Sequence, residues 1–250
     1  MATTIQAGDV EVRVTAQPLT QESYAQFGDV TQNPRPNIHP GEFDQHASEL
    51  PPNAFTANQG FAIQYRNAAR IQSLYEQAPS GSGSPIMSVF VCAARQLPLN
   101  QTSRRTEFTV KYLERHPYTT QTFSPISSMA STYLVIVAPT LPASPQDSHF
   151  VVPSGPGLPG RGLPDLANLK AFVAQANQAV TYAAGTWHAP MVVLGESGTT
   201  LDFVVSQFAS GVADEDCQLL EFAAEAGREP KLTVEIPSNN SYRRPTATSL

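Results

Sequence analysis

The sequence predicts an all-β fold, a sandwich or jelly roll with a few short helices, on three observations. There are 22 prolines and 15 glycines in 250 residues, which favours turns over long helices. Short alternating or continuous apolar runs recur between turn signals. Helical periodicity is confined to brief stretches. The length suits one domain, residues 1–250, with a sizeable core. A formal charge of −6 with scattered basic residues argues against a nucleic-acid partner, which needs a basic stripe.

Val10 to Val14 alternates and reads as a first strand. Leu19 to Phe27 resembles a helical turn capped near Thr20. Residues 32–58, rich in Pro and Asn, read as irregular loop, and His39 and His46 within them as solvated histidines. Phe61–Tyr65 is a strand, Ala68–Glu76 a short helix, and Met87–Ala93 a buried strand. An alternating strand follows from Phe108 to His116, stopped by Pro117. Gln121 and Phe123 begin the next strand, and Thr132–Ala138 is a continuous apolar one.

Residues 139–164 hold seven prolines and four glycines and read as a long surface excursion, a candidate lid. Pro164–Phe172 reads as a helical turn. Met191–Leu194 and Leu201–Phe208 flank a tight turn and form a hairpin candidate. Residues 237–250 read as a mobile polar tail.

Two cysteines, Cys92 and Cys217, make no disulfide framework and fit a reducing compartment. The N-terminus lacks the pattern of a signal peptide, and no apolar stretch reaches the ~20 residues of a membrane span. The expectation is a cytoplasmic protein with neither nucleic acid nor membrane as partner.

Two islands carry the chemistry: Glu114-Arg-His116-Pro-x-x-x-Gln121, and Gly185-Thr-Trp187-His188-Ala-Pro190. In a strand, residues two apart share a face, so Glu114 and His116 point one way with Val110 and Tyr112, and Lys111 and Arg115 the other. Glu114-x-His116-x4-Gln121 followed by a distant His has the arrangement of a cupin metal site, with Glu in place of its first His and Gln in place of its acid. Glu114, His116, Gln121 and His188 are therefore candidate ligands of a divalent metal, with Gln the weakest; nickel, zinc and manganese are not distinguished. No organic cofactor is expected. The plain alternative is a hydrogen-bonded Glu–His pair in a polar pocket. A carboxylate substrate needs a cation, for which Arg95, Lys111, Arg115 and Arg66 are candidates, each also readable as a solvated surface charge. No nucleophile elbow or phosphate loop is present.

In order along the chain, Pro18–Val30, Asn58-Gln59-Gly60, Glu114–Pro117 with Gln121–Pro125, Asp165–Phe172, Gln178–Tyr182, Trp187-His188-x-Pro190 and Asp202-Phe203 resemble the ureidoglycolate lyase family of allantoin and purine breakdown. The resemblance covers about two-thirds of the chain. It implies a cupin-like double-stranded β-helix, a homodimer, and release of urea from ureidoglycolate to leave glyoxylate. It also implies catalytic roles for Glu114, His116 and His188. Asn58, Gln59, Arg95, Lys111, Gln178, Tyr182 and Trp187 become candidate substrate contacts. Glu114 or His116 is the expected base and His188 the expected acid, or a metal acidifies the hydroxyl while one His moves the proton. Two departures stand out: the 139–164 excursion is longer than in compact bacterial relatives, and Ala189 stands where they have a second His. An amidohydrolase releasing ammonia and carbon dioxide, and a non-catalytic cupin-type binder of a small acid, are the competing readings.

Overall fold

The computed structural model describes residues 3–101, 105–126, 129–228 and 230–237. Its strands, in chain order, are β1 Thr3–Gln6, β2 Glu11–Thr15, β3 Gln17–Pro18, β4 Gly28–Thr31, β5 Ala54–Ala57, β6 Ala62–Tyr65, β7 Ser84–Ala93, β8 Thr106–Thr109 and β9 Tyr112–Arg115. They continue as β10 Gln121–Pro125, β11 Thr132–Ala138, β12 Lys170–Gln175, β13 Ala179–Tyr182, β14 Trp187–His188, β15 Val192–Leu194, β16 Thr200–Ala209, β17 Gln218–Ala223 and β18 Lys231–Ile236. The α-helices among the described residues, α1 Gln21–Tyr24 and α2 Ala213–Asp216, are single turns, so the fold is all-β in the cupin-like manner expected.

Three sheets are stacked. The eight-stranded sheet runs β1-β17-β9-β14-β11-β12-β3, with β15 also on β11. One of its faces packs on the five-stranded sheet β4-β13-β10-β16-β7, the other on the three-stranded sheet β2-β18-β8. The middle layer explains the apolar runs. Along β11, Leu134, Ile136 and Ala138 enter one core, while Tyr133, Val135 and Val137 enter the other. A strand buried on both faces has no polar side to present, so its sequence is continuously hydrophobic. The β5–β6 hairpin stands as a separate two-stranded sheet.

Several sequence expectations change. Thr20 does cap α1, accepting from the Ser23 backbone N–H at 3.2 Å. Ala68–Glu76 is not a helix: it lies extended beside Thr119 and Thr120, with only a 3-10 turn at Tyr75–Gln77. Pro164–Phe172 contributes a 3-10 turn at Leu166–Asn168 and then β12, because Ala171 to Ala174 alternate between the two cores. The β15–β16 hairpin does not form; β15 pairs with β11 and β16 with β7 and β10, so the turn between them crosses from one sheet to another.

The run to His116 is two strands, β8 and β9, broken at Val110-Lys111. The break resets the alternation: Val110 and Leu113 are buried, Tyr112 is exposed, and Arg115 is wholly buried against Trp187 and Phe150. Arg115 does point opposite Glu114, but into a second core, not into solvent. The 139–164 segment is held down there: Asp147 and Phe150 are buried and Asp147 is paired with Arg161. The tail expectation lies outside the described residues beyond Pro237. Among the described residues, no helix is long and apolar enough to cross a membrane.

Candidate active site

The site begins with one register. β14 lies between β9 and β11, and His188 pairs directly with Glu114. Strand alternation then sends Trp187 and Arg115 into one core, and His188 and Glu114 to the opposite face, toward the five-stranded sheet. His116 follows one residue after β9 and is tied to the second island by its carbonyl, which accepts from the Gly185 backbone N–H at 2.8 Å. Gly185 has φ +78, and a Cβ there would come within 2.8 Å of Pro159, so the turn that presents His188 requires glycine.

Glu114, His116 and His188 place one ligand atom each within 4.8 Å of one another. The His188 Nε2 lies 3.7 Å from a Glu114 carboxylate oxygen, and the two imidazoles are 5.5 Å apart. Backbone carbonyls fix both tautomers. His116 Nδ1–H donates to the Asp216 carbonyl at 2.6 Å, and His188 Nδ1–H to the Thr186 carbonyl at 2.9 Å. Since a carbonyl can only accept, the proton of each neutral ring sits on Nδ1, and each Nε2 faces the site as a bare lone pair. Both Nε2 atoms are buried without a hydrogen-bond partner.

Uncompensated buried nitrogens on neighbouring rings, next to a carboxylate, fit a divalent metal: imidazole and carboxylate are borderline-metal ligands, and the carbonyl acceptors are the usual outer partners of metal-binding histidines. Gln121, at the start of β10, spends its amide N–H on Gln207 at 2.6 Å and leaves its buried carbonyl oxygen without a partner.

Tyr182 stacks on His188 with ring centroids 3.9 Å apart and planes within 13°. Burial, then the Glu114 charge, push its phenol well above the ordinary range. Burial, reinforced by His116, pulls the His188 pKa down to about 3. At neutral pH His188 is therefore neutral and turns an unprotonated Nε2 toward the site.

A stability prediction follows for the metal-free protein. Between about 3 and the unperturbed 6.5 the unfolded chain binds a proton that the fold refuses. Stability from this group is complete above that window and falls as pH drops through it, on the order of 1 kcal/mol per pH unit. Urea denaturation in chelator at pH 7, 6 and 5 is expected to show a declining midpoint, with a shallower decline in His188→Gln.

Cys217 was invisible as a site residue in the sequence. Its thiol donates to the second Glu114 oxygen at 3.8 Å, and burial with that carboxylate pushes its pKa up to about 12, so it remains a thiol. Only the antiparallel register of β17 on β9, which sets Leu219 opposite Glu114, brings it there.

The candidate substrate residues scatter. Gln178 is buried, with its amide spent on the Leu19 carbonyl, Gln32 and the Gln175 backbone N–H. Trp187 is fully buried, its indole N–H donating to the Gly162 carbonyl at 3.1 Å. Arg95 lies over Phe108 beside a groove of about 1010 Å³ lined also by Met129 and Leu194. Lys111 is exposed, and Asn58 and Gln59 sit at the exposed tip of the β5–β6 hairpin in left-handed conformations. Tyr182 alone of this group touches the triad.

Fold and site together define a class: all-β sandwiches of cupin-like build that gather Glu and His donors between two sheets. The family model for ureidoglycolate lyase matches residues 11–227, and the chain belongs to that family. The ureidoglycolate lyase of Schizosaccharomyces pombe is 33% identical over 210 residues, covering 83% of this chain and 90% of the relative. That of Saccharomyces cerevisiae is 34% identical over 206 residues, covering 80% and 87%. A bacterial one, from Burkholderia mallei, is 29% identical over 192 residues, covering 77% and 80%.

Proposed function

We propose that the protein is a cytosolic, homodimeric lyase that splits ureidoglycolate into glyoxylate and urea at the Glu114–His116–His188 site. The observation that carries this reading is the pair of buried, tautomer-fixed Nε2 atoms beside a carboxylate; family membership supplies the substrate. Ureidoglycolate carries a hydroxyl and a ureido nitrogen on one carbon, next to a carboxylate. Taking the hydroxyl proton forms the carbonyl and expels the C–N bond, and the departing nitrogen takes a proton. No water is consumed.

Glu114 is the proton carrier: it accepts the hydroxyl proton and returns it to the leaving nitrogen, so one carboxylate closes the cycle. The Cys217 thiol donates to one oxygen of that carboxylate, while the other faces the bare His188 Nε2 at 3.7 Å across the space a bound ion would fill. Tyr182, stacked on His188, fixes the ring and closes the pocket wall. Glu114, His116, His188 and Gln121 would hold a divalent ion, which when bound supplies Lewis acidity toward the substrate's hydroxyl and carboxylate oxygens. Such an ion also supplies the positive charge a carboxylate substrate needs, since among the described residues Glu114 is ion-paired with no Lys or Arg and the Arg115 side chain points into the other core.

The test is to incubate the protein with ureidoglycolate and measure urea and ammonia side by side, with and without chelator. Stoichiometric urea, lost on chelation and restored by a divalent ion, is the expected result. Ammonia without urea would make the enzyme an amidohydrolase. Neither product, with metal supplied, would leave a binding protein for a small acid.

A further inference from the structure

The free edge of the five-stranded sheet has no part in the site. β7 pairs with β16 residue for residue, from Ser84 opposite Ala209 to Ala93 opposite Thr200. No strand among the described residues pairs with its other side. A ten-residue edge strand presents a row of unpaired amides and carbonyls, which proteins ordinarily blunt with charges, bulges or prolines. Here Pro85 stands only at the start, and no Asp, Glu, Lys, Arg or His occurs from Ser84 to Ala94.

Met87–Ala93, expected from its sequence to be buried, is instead an exposed edge, apolar on both faces. Met87, Val89 and Val91 point away from the core and are 74%, 64% and 65% exposed. Ile86 and Phe90 point inward, opposite Gln207 and Phe203, yet remain 41% and 44% exposed. Phe90 meets Phe123 edge-on at 5.6 Å. The second core is open along this seam.

We propose that β7 is the homodimer interface: it joins antiparallel to β7 of a second copy across a twofold axis at Val89, making one continuous sheet from two. This rests on the dimeric reading above and names its surface; it is independent of the reaction. A strand paired antiparallel with itself is self-complementary, so the contact closes at two copies. The register about Val89 sets Met87 against the partner's Val91. On the inner face it sets Phe90 against the partner's Ser88 and Ile86 against the partner's Cys92, large against small. With no ionised side chain in the strand, no like charges meet. The five apolar side chains expose roughly 500 Å² per protomer over the two faces of the strand, toward the upper end of what monomers leave bare and a size that is often functional. With the backbone edge and flanking residues, the pairing approaches the ~800 Å² per partner of a standard interface.

The test is sedimentation velocity at micromolar concentration, with two variants. The wild-type protein is expected to sediment as a dimer. Val89→Lys, whose side chain faces solvent in a lone protomer, is expected to raise the dissociation constant at least ~100-fold with an unchanged far-UV spectrum. Val89→Cys is expected to form a covalent dimer on mild oxidation, where the wild type with Cys92 and Cys217 does not. A wild-type monomer would overturn both the interface and the dimeric reading. A dimer that survives Val89→Lys, with no cross-link from Val89→Cys, would overturn the interface alone. Urea release is measured separately, so neither outcome is confused with failure of the reaction.

Discussion

His116→Ala and His188→Ala are each expected to lower kcat/KM for urea release by at least ~10³-fold, because each removes one of two nitrogens that nothing else satisfies. Glu114→Gln is expected to fall in the same range, by losing the proton carrier. The three should differ in a second readout. Titration with nickel, zinc or manganese should show binding lost in both His→Ala variants, whereas Glu114→Gln keeps two imidazoles and the Gln121 oxygen and binds more weakly. Groups that act as a unit are not additive, so the His116→Ala/His188→Ala double variant should cost little more than either single. His188 stacks on Tyr182, so His188→Gln, which keeps polar bulk, serves as the control against loss of packing. Wild-type turnover in any two of these variants would place the chemistry elsewhere.

Much of this site was legible in the sequence because its parts are local. The spacing of Glu114 in β9 and His116 just beyond it, and the Gly185 turn ahead of His188, are set within a few residues. The continuous apolar run Thr132–Ala138 was legible as a strand, and a run apolar on both faces is one that must be covered on both. What it could not tell was by what. Alternation correctly put Arg115 opposite Glu114, yet it says nothing of whether the opposite side meets water or a second sheet. That sheet is built from β2, β8 and β18, which lie far apart in the chain. The same limit explains the missing hairpin: β15 and β16 are adjacent in sequence, but each finds its partners in a different layer. Cys217 and the Asp216 carbonyl reach the site by pairing about a hundred residues away, which no motif records. The helix expected at 68–76 yielded to hydrogen bonds of Gln72 and Leu74 with Thr120 and Tyr118, a competition decided outside the segment.

Arg115→Met is expected to destabilise the protein more than any other single change considered, by about 3–5 kcal/mol, or roughly 10 °C in Tm. The side chain is wholly buried. Its guanidinium donates to the carbonyls of Gly160 at 2.9 Å, Arg161 at 2.9 Å and Gly162 at 3.3 Å, and to Gln218 Oε1 at 2.8 Å. It stacks 4.3 Å over Trp187 and 5.0 Å over Phe150. Burial pulls its pKa down to about 9, so it is still a cation at neutral pH, and the carbonyl fork with two aromatic faces is what compensates its desolvation. Methionine keeps the apolar stem and deletes every donor; Gly162 keeps the Trp187 N–H, but the Gly160 and Arg161 carbonyls and Gln218 Oε1 lose their bond to the guanidinium, at ~1–3 kcal/mol for each that stays out of water. Lysine restores the charge but not the planar fork, so Arg115→Lys should recover only a fraction. The loss has an address: Gln218 also donates to the Val151 carbonyl at 2.6 Å, so both ends of the segment 150–162 hang on this one residue. Limited proteolysis should therefore cut Arg115→Met first within 150–162, before global unfolding, and hydrogen exchange there should rise by orders of magnitude. A Tm within about 2 °C of wild type, with that segment still protected, would mean that the excursion holds itself down through Asp147 and Arg161 and that Arg115 merely fills the space beneath it.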